Sequence, residues 1–279
     1  MFTMKLLLFI LWIAFCSAIP FWNTSEVQPF ITNGEMAEVG QFPYQAGINV
    51  SFGDLGWTWC GGTLISHYWV ITAAHCMDGA ESATVYLGAT NIQDEDEPGQ
   101  KRFVVDKSRI IVHSSYLAST TANDISLIRL PRFVIFTDRI RPASLPRRVN
   151  GSFPTYESLK AIASGWGRDS DASETVSPVL KYVEMPIMPQ AVCRMYWSGA
   201  VSEKMICMST TSGKSTCHGD SGGPLVYRNG NSTYLIGATS FGSSMGCQVG
   251  FPAVFTRISS YLEWILDHVI VSSKPINFL

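Results

Sequence analysis

The sequence predicts an all-β fold of the barrel or sandwich kind, finished by one C-terminal α-helix. Three observations carry this. From Tyr44 onward, short apolar runs alternate with turns rich in Gly, Pro, Asn and Asp, the pattern of many short strands. Of 279 residues, 46% are apolar and only 15% are charged. Such a chain can fill one large or two small cores, and the composition argues against disorder. Near the C-terminus Leu262, Ile265, Leu266 and Val269 recur at helical spacing, with Ser259 or Ser260 placed to cap the helix.

The first stretch is a targeting segment rather than part of the fold. Met1 to Lys5 carries one basic residue, Leu6 to Phe15 is apolar, and Cys16-Ser17-Ala18 is small. This predicts a secretory signal peptide over residues 1–18. The run falls short of the ~20 apolar residues a spanning helix needs, which disfavours a membrane anchor. A secreted, extracellular protein is therefore expected. Net charge is −2, which gives no electrostatic case for nucleic acid or an anionic membrane, and neither is expected as a partner. Secretion also changes how the seven cysteines read. Cys16 leaves with the signal, and Cys60, Cys76, Cys193, Cys207, Cys217 and Cys247 remain. An even set in a secreted chain reads as disulfides, and the sequence leaves about fifteen connectivities open.

Strands are predicted over 45–50, 61–65, 69–72, 84–87, 103–105, 109–112 and 126–130. In the second half they are predicted over 160–164, 181–185, 205–208, 224–227, 234–239 and 253–257, with a short helix over 190–197. The basic, Pro-rich run 139–148 reads as the linker, which puts the boundary between halves near 140–150. Asp94-Glu95-Asp96-Glu97 is read as a solvated loop, because a calcium site needs converging oxygen ligands. Asn23, Asn49, Asn150 and Asn231 begin N-x-Ser/Thr acceptor sequences.

Three runs carry chemistry. Cys217-His218-Gly219-Asp220-Ser221-Gly222-Gly223-Pro224 places a serine between glycines. Such a run marks a nucleophile on a tight turn, with backbone N–H groups aimed at a developing oxyanion. Alone it is ambiguous, since serine and glycine also make ordinary turns. Thr72-Ala73-Ala74-His75-Cys76 supplies a base, and Asn123-Asp124-Ile125-Ser126-Leu127 supplies a carboxylate. The order His75, Asp124, Ser221 is that of one known serine-protease arrangement. On these runs the chain resembles the chymotrypsin-like (trypsin-fold) secreted serine proteases. It is nearest to arthropod digestive chymotrypsins, some relatives of which also cut collagen. The resemblance extends from Ile31 to about Val271.

The resemblance implies two six-stranded antiparallel β-barrels with the active site in the cleft between them, and a C-terminal α-helix. His75 and Asp124 would come from the first barrel and Ser221 from the second. It implies the disulfides Cys60–Cys76, Cys193–Cys207 and Cys217–Cys247. His75 would act as base, Asp124 would fix its tautomer, and the N–H groups of Gly219 and Ser221 would form the oxyanion hole. Ser215 would sit at the base of the substrate pocket, where trypsins carry an aspartate. Ser240, Gly242 and Ala253 would line its walls. A neutral pocket favours Phe, Tyr, Leu or Met, and an elastase-like preference for small residues is the alternative if Ala253 narrows the slot. Ile31-Thr32-Asn33-Gly34 resembles the mature start, so residues 19–30 form an activation pro-segment and 31–279 the peptidase domain. Cutting after Phe30 would free an ammonium at Ile31 to pair with Asp220. The activator would prefer aromatic residues, and this protein itself is one candidate. The expected partners are protein or peptide substrates and that activating protease. No cofactor or metal is expected, and the default is a monomer with a digestive role. A non-catalytic homologue is disfavoured, because all three triad residues are present.

Overall fold

The computed structural model describes residues 31–271. The predicted signal peptide, the pro-segment with Phe30, and the acceptor Asn23 lie outside the described residues. Fourteen strands follow in order. The first half holds β1 (Glu35–Met36), β2 (Gln45–Ser51), β3 (Trp57–Leu64), β4 (Trp69–Thr72), β5 (Ser82–Leu87), β6 (Lys101–Asp106), β7 (Ile110–Val112) and β8 (Ser126–Arg129). The second holds β9 (Lys160–Gly165), β10 (Lys181–Met188), β11 (Met205–Met208), β12 (Pro224–Asn229), β13 (Ser232–Phe241) and β14 (Ala253–Arg257). Every predicted strand is present. Most run a residue or more further than the apolar pattern, because ladder hydrogen bonds rather than side chains set where pairing stops.

The first sheet has the order β6-β5-β2-β3-β4-β8-β7. Its two edge strands, β6 and β7, are one length of chain bent at a 3-10 turn over Lys107–Arg109. The Asp106 side chain accepts from the Ser108 N–H and fixes that bend. The expected six-stranded barrel is thus realised as a curled sheet whose edges meet through the covalent chain. The second sheet closes by hydrogen bonds, since β9 pairs with both β10 and β12. The remaining strand, β1, is a two-residue addition on β10.

Four apolar clusters result among the described residues, the smallest around Cys193, Val201, Met205, Cys207 and Val254. Ile48, Val70, Val85 and Ile128 centre the first sheet, and Ile31, Met208, Leu225 and Phe255 centre the second. The third is shared, with Trp59, Ile71 and Leu127 from one half against Trp166, Leu235 and Ile265 from the other. The C-terminal helix α3 (Leu262–Val271) docks on this shared core. It is led in by a 3-10 turn over Ile258–Tyr261, so Ser259 and Ser260 lie inside that turn. The buried stripe is Ile258, Tyr261 and Ile265, while Leu266 is 41% exposed. Leu262 and Val269 also pack against this core, so of the four residues the spacing predicts only Leu266 lies off the docking face.

Three disulfides join Cys60 to Cys76, Cys193 to Cys207 and Cys217 to Cys247. The acidic run is not wholly solvated. Glu97 is buried and accepts from the N–H groups of Thr90 and Asn91 and from Gln100, with Arg139 Nη1 at 3.3 Å. Burial works against its charge, but these donors outweigh it and hold the Glu97 carboxyl below its usual range. Among the described residues no helix is long and apolar enough to cross a membrane.

Candidate active site

His75 sits on a single helical turn, α1 (Ala74–Met77), immediately after β4. Cys76 on the same turn is bonded to Cys60 on β3, which pins the turn to the sheet. Asp124 precedes β8 and is 1% exposed. Its Oδ2 lies 2.8 Å from His75 Nδ1, and its Oδ1 accepts from the His75 backbone N–H at 2.9 Å. Two groups from the other half complete its cage. The Ser240 hydroxyl donates to Oδ2 at 2.5 Å, and the Thr256 hydroxyl donates to the Asp124 carbonyl at 2.6 Å. A carboxylate held in this way fixes one tautomer of His75, with the proton on Nδ1 and Nε2 left to accept.

Ser221 lies on the turn between the Cys217–Cys247 disulfide and β12. Gly219 has φ of +97°, a conformation side chains rarely adopt. The turn is pressed against β3 and β4. Gly61 N–H donates to the Ser221 carbonyl at 2.7 Å. A side chain at Gly61 would meet the Gly223 Cα, and one at Gly222 would run into Thr72 Oγ1 and the Gly61 carbonyl. The N–H groups of Gly219 and Ser221 donate to no acceptor among the described residues. Two unspent donors on one turn can hold an anionic oxygen. No hydrogen bond joins Ser221 Oγ to His75 among the described residues. Catalytic hydrogen bonds are often long until substrate closes the site.

Two cavities flank Ser221. The first, about 270 Å³, is lined by Ser215, Ser240, Phe241, Gly242 and Phe251 among others. Ser215 is 4% exposed, and its hydroxyl donates to the Thr216 carbonyl. A side chain at Gly242 would meet open space. Ala253 pairs with Met208 across β14 and β11 and packs into the second core, whereas Phe251 lines the cavity. The expectation that Ala253 forms a wall of the pocket is therefore corrected: its place in the strand turns its methyl into the core, and Phe251 lines the cavity instead. The second cavity, about 350 Å³, holds His75, Ser221, Gly219, His218 and Arg168. Sequence reasoning gave no role to Arg168, Thr256 or Phe251.

The predicted mature start lies behind the first cavity. Ile31 and Thr32 are fully buried. The Thr32 hydroxyl donates to the Ser215 carbonyl at 3.1 Å, and the Asn33 side chain donates to the Gly213 carbonyl. Asn33 holds φ of +59°, in the left-handed region that asparagine tolerates. Asp220 is fully buried, and its two oxygens accept from Gly167 and Cys217 N–H. Burial pushes its carboxyl up to about 6, with those N–H groups and the Lys181 charge pulling the other way. Lys181, also buried, stands 3.8 Å from Asp169, and burial lowers its ammonium to about 8. The one grouping of potential metal ligands among the described residues is Asp171 with Cys217 and Cys247, whose sulfurs are spent in a disulfide.

Comparison with known proteins agrees with this geometry. Residues 31–265 match the Trypsin family. Serine protease 1 of Drosophila melanogaster is 43% identical over 247 residues, covering 88% of this chain and 88% of that protein. The collagenase of Hypoderma lineatum is 42% identical over 238 residues, covering 84% and 85%. A solved structure titled HL collagenase superposes with a TM-score of 0.76 at 38% identity, covering 85% of this chain and 98% of that one. With the family matched from Ile31 to Ile265, the chain belongs to the trypsin family and is a serine endopeptidase.

Proposed function

We propose that this protein is secreted as a zymogen and cuts peptide bonds after Phe, Tyr, Leu or Met. The observation that carries the preference is the first cavity. Ser215 is among the residues lining it, and none of them carries a formal charge. Burying a Lys or Arg there would leave a cation without a partner, whereas an apolar side chain gains from leaving water. Ala253 packs away from the cavity and Gly242 leaves its mouth open, which favours large residues over the elastase-like alternative.

The mechanism is acyl transfer. Ser221 Oγ attacks the carbonyl as His75 Nε2 takes its proton. Asp124 holds the imidazole and stabilises its cation. The N–H groups of Gly219 and Ser221 receive the oxyanion. His75 then gives its proton to the leaving amine, and water repeats the sequence on the acyl-enzyme. Cutting after Phe30 would free the Ile31 ammonium for Asp220, and an enzyme with this pocket could make that cut on its own precursor.

The test uses mature protein beginning at Ile31 and tetrapeptide amides ending in Phe, Leu, Ala or Arg, with a Ser221→Ala control. Cleavage after Phe or Leu, lost in the control, is expected. Preference for Arg would remove Ser215 from the pocket base. Silence on every substrate would favour a non-catalytic role.

A further inference from the structure

The geometry points to a second specificity element: Arg168 selects substrates with Asp or Glu at the first or second residue after the scissile bond. This rests on the acyl-transfer reading above and adds a substrate class to it. The two cavities beside Ser221 have only His218 and Ser221 in common. The first takes the residue whose carbonyl is attacked. The second holds His75, the group that hands a proton to the leaving amine. It is therefore where the departing half of the substrate lies.

That cavity has a one-sided charge. Arg168 is the one residue with a permanent charge among those lining it, and no Asp or Glu lines it. The Arg168 backbone is anchored, with its N–H donating to the His218 carbonyl at 2.8 Å and Gly167 bonded to Asp220 beside it. Its guanidinium, in contrast, makes no ion pair or hydrogen bond among the described residues. The carboxylates of its own loop are committed elsewhere. Asp169 faces Lys181 and the hydroxyls of Ser170 and Ser173. Asp171 accepts from the N–H groups of Cys247 and Gln248 across the loop. A half-buried guanidinium with five free donors is built to take a carboxylate in two parallel bonds. The leaving half of a peptide is the source of carboxylate that this cavity admits.

The test compares quenched fluorogenic peptides identical up to a Phe at the cut and differing after it, with Asp, Gln or Lys at the first and second positions. The wild type should favour Asp over Lys by roughly fivefold to tenfold in kcat/KM at low salt, the effect of a partly exposed charge pair. The preference should shrink toward one at high salt, where such charges are screened. Arg168→Gln should abolish the Asp-to-Lys ratio, Arg168→Glu should invert it, and Arg168→Lys should keep part of it. A ratio near one in the wild type, or one unchanged in Arg168→Gln, would overturn the inference. A Phe anilide, which has no residue beyond the cut, separates the two readings. Anilide cleavage without charge preference defeats this inference alone. Anilide left intact defeats the acyl-transfer reading and this one with it.

Discussion

At the scale of single residues, the site turns on where charge is placed and where it is withheld. Ser215, a neutral hydroxyl among the residues lining the first cavity, withholds it there. Ser215→Asp should shift the ratio of Arg to Phe cleavage toward Arg by roughly a hundredfold, because a substrate cation would then gain a buried partner. Paired kcat/KM measurements on Arg and Phe amides check this. Asp220 is the opposite case, a carboxyl buried with only backbone donors and the Lys181 charge for company. In the uncleaved chain the Ile31 nitrogen is an amide, so no ammonium faces it. Its pKa is raised from an ordinary 3.8 to about 6, so between those values the folded precursor binds a proton that the unfolded chain has released. This contribution favours the fold at low pH and is lost as pH rises through about 6. A shift of roughly two units corresponds to about 3 kcal/mol. Chemical denaturation of the Ser221→Ala precursor, with and without Asp220→Asn, should show the gap between the two changing by that amount from pH 4 to 7. A gap that stays constant would refute it.

At the scale of elements, short connections do the positioning. Glu97 ties the chain at Thr90 and Asn91 to Gln100 and Arg139. Glu97→Gln should cost about 2 kcal/mol, since it leaves buried N–H groups facing an amide that also donates. A midpoint lowered by several degrees in thermal unfolding is the expected reading. The sequence showed only an acidic run here, and nothing in it marked which of the four carboxylates turns inward. The strands were legible because their inward faces alternate, as in β10, where Lys181, Val183, Met185 and Ile187 all point in. The triad was legible because its three residues sit in runs whose composition fits the chemistry. Thr256 and Ser240 as a cage for Asp124 were not, because hydroxyls on strands look the same whether they face solvent or the carboxylate and carbonyl of a residue 116 to 132 positions away. The one-turn α1 was missed for lack of length, and of the α3 face only Leu266 was misplaced, an apolar side chain that stands exposed beside the docked Leu262, Ile265 and Val269.

At the scale of the molecule, the two halves share a core and the cage around Asp124. Asp124 belongs to the first half, and Ser240 and Thr256 belong to the second. Trp59, Trp69 and Ile71 pack with Trp166, Val226 and Ile265 across the boundary. The halves should therefore unfold together. Calorimetry should give one transition with matching calorimetric and van't Hoff enthalpies, and activity should vanish along the same curve. Two separated transitions would contradict a shared core. Ile265→Ala, which empties part of that core under α3, should lower stability by about 2–5 kcal/mol without splitting the transition.

The seam of glycines at Gly61, Gly222 and Gly223 also bears on ancestry. On that side of Ser221, two backbones touch and no heritable change larger than a hydrogen atom fits. On the far side, at Gly242, a new side chain would enter open space. A lineage carrying this fold can change its diet of peptides by rewriting one wall while the other stays frozen. Diversity in what such enzymes cut and constancy in how they cut then come from opposite sides of one serine.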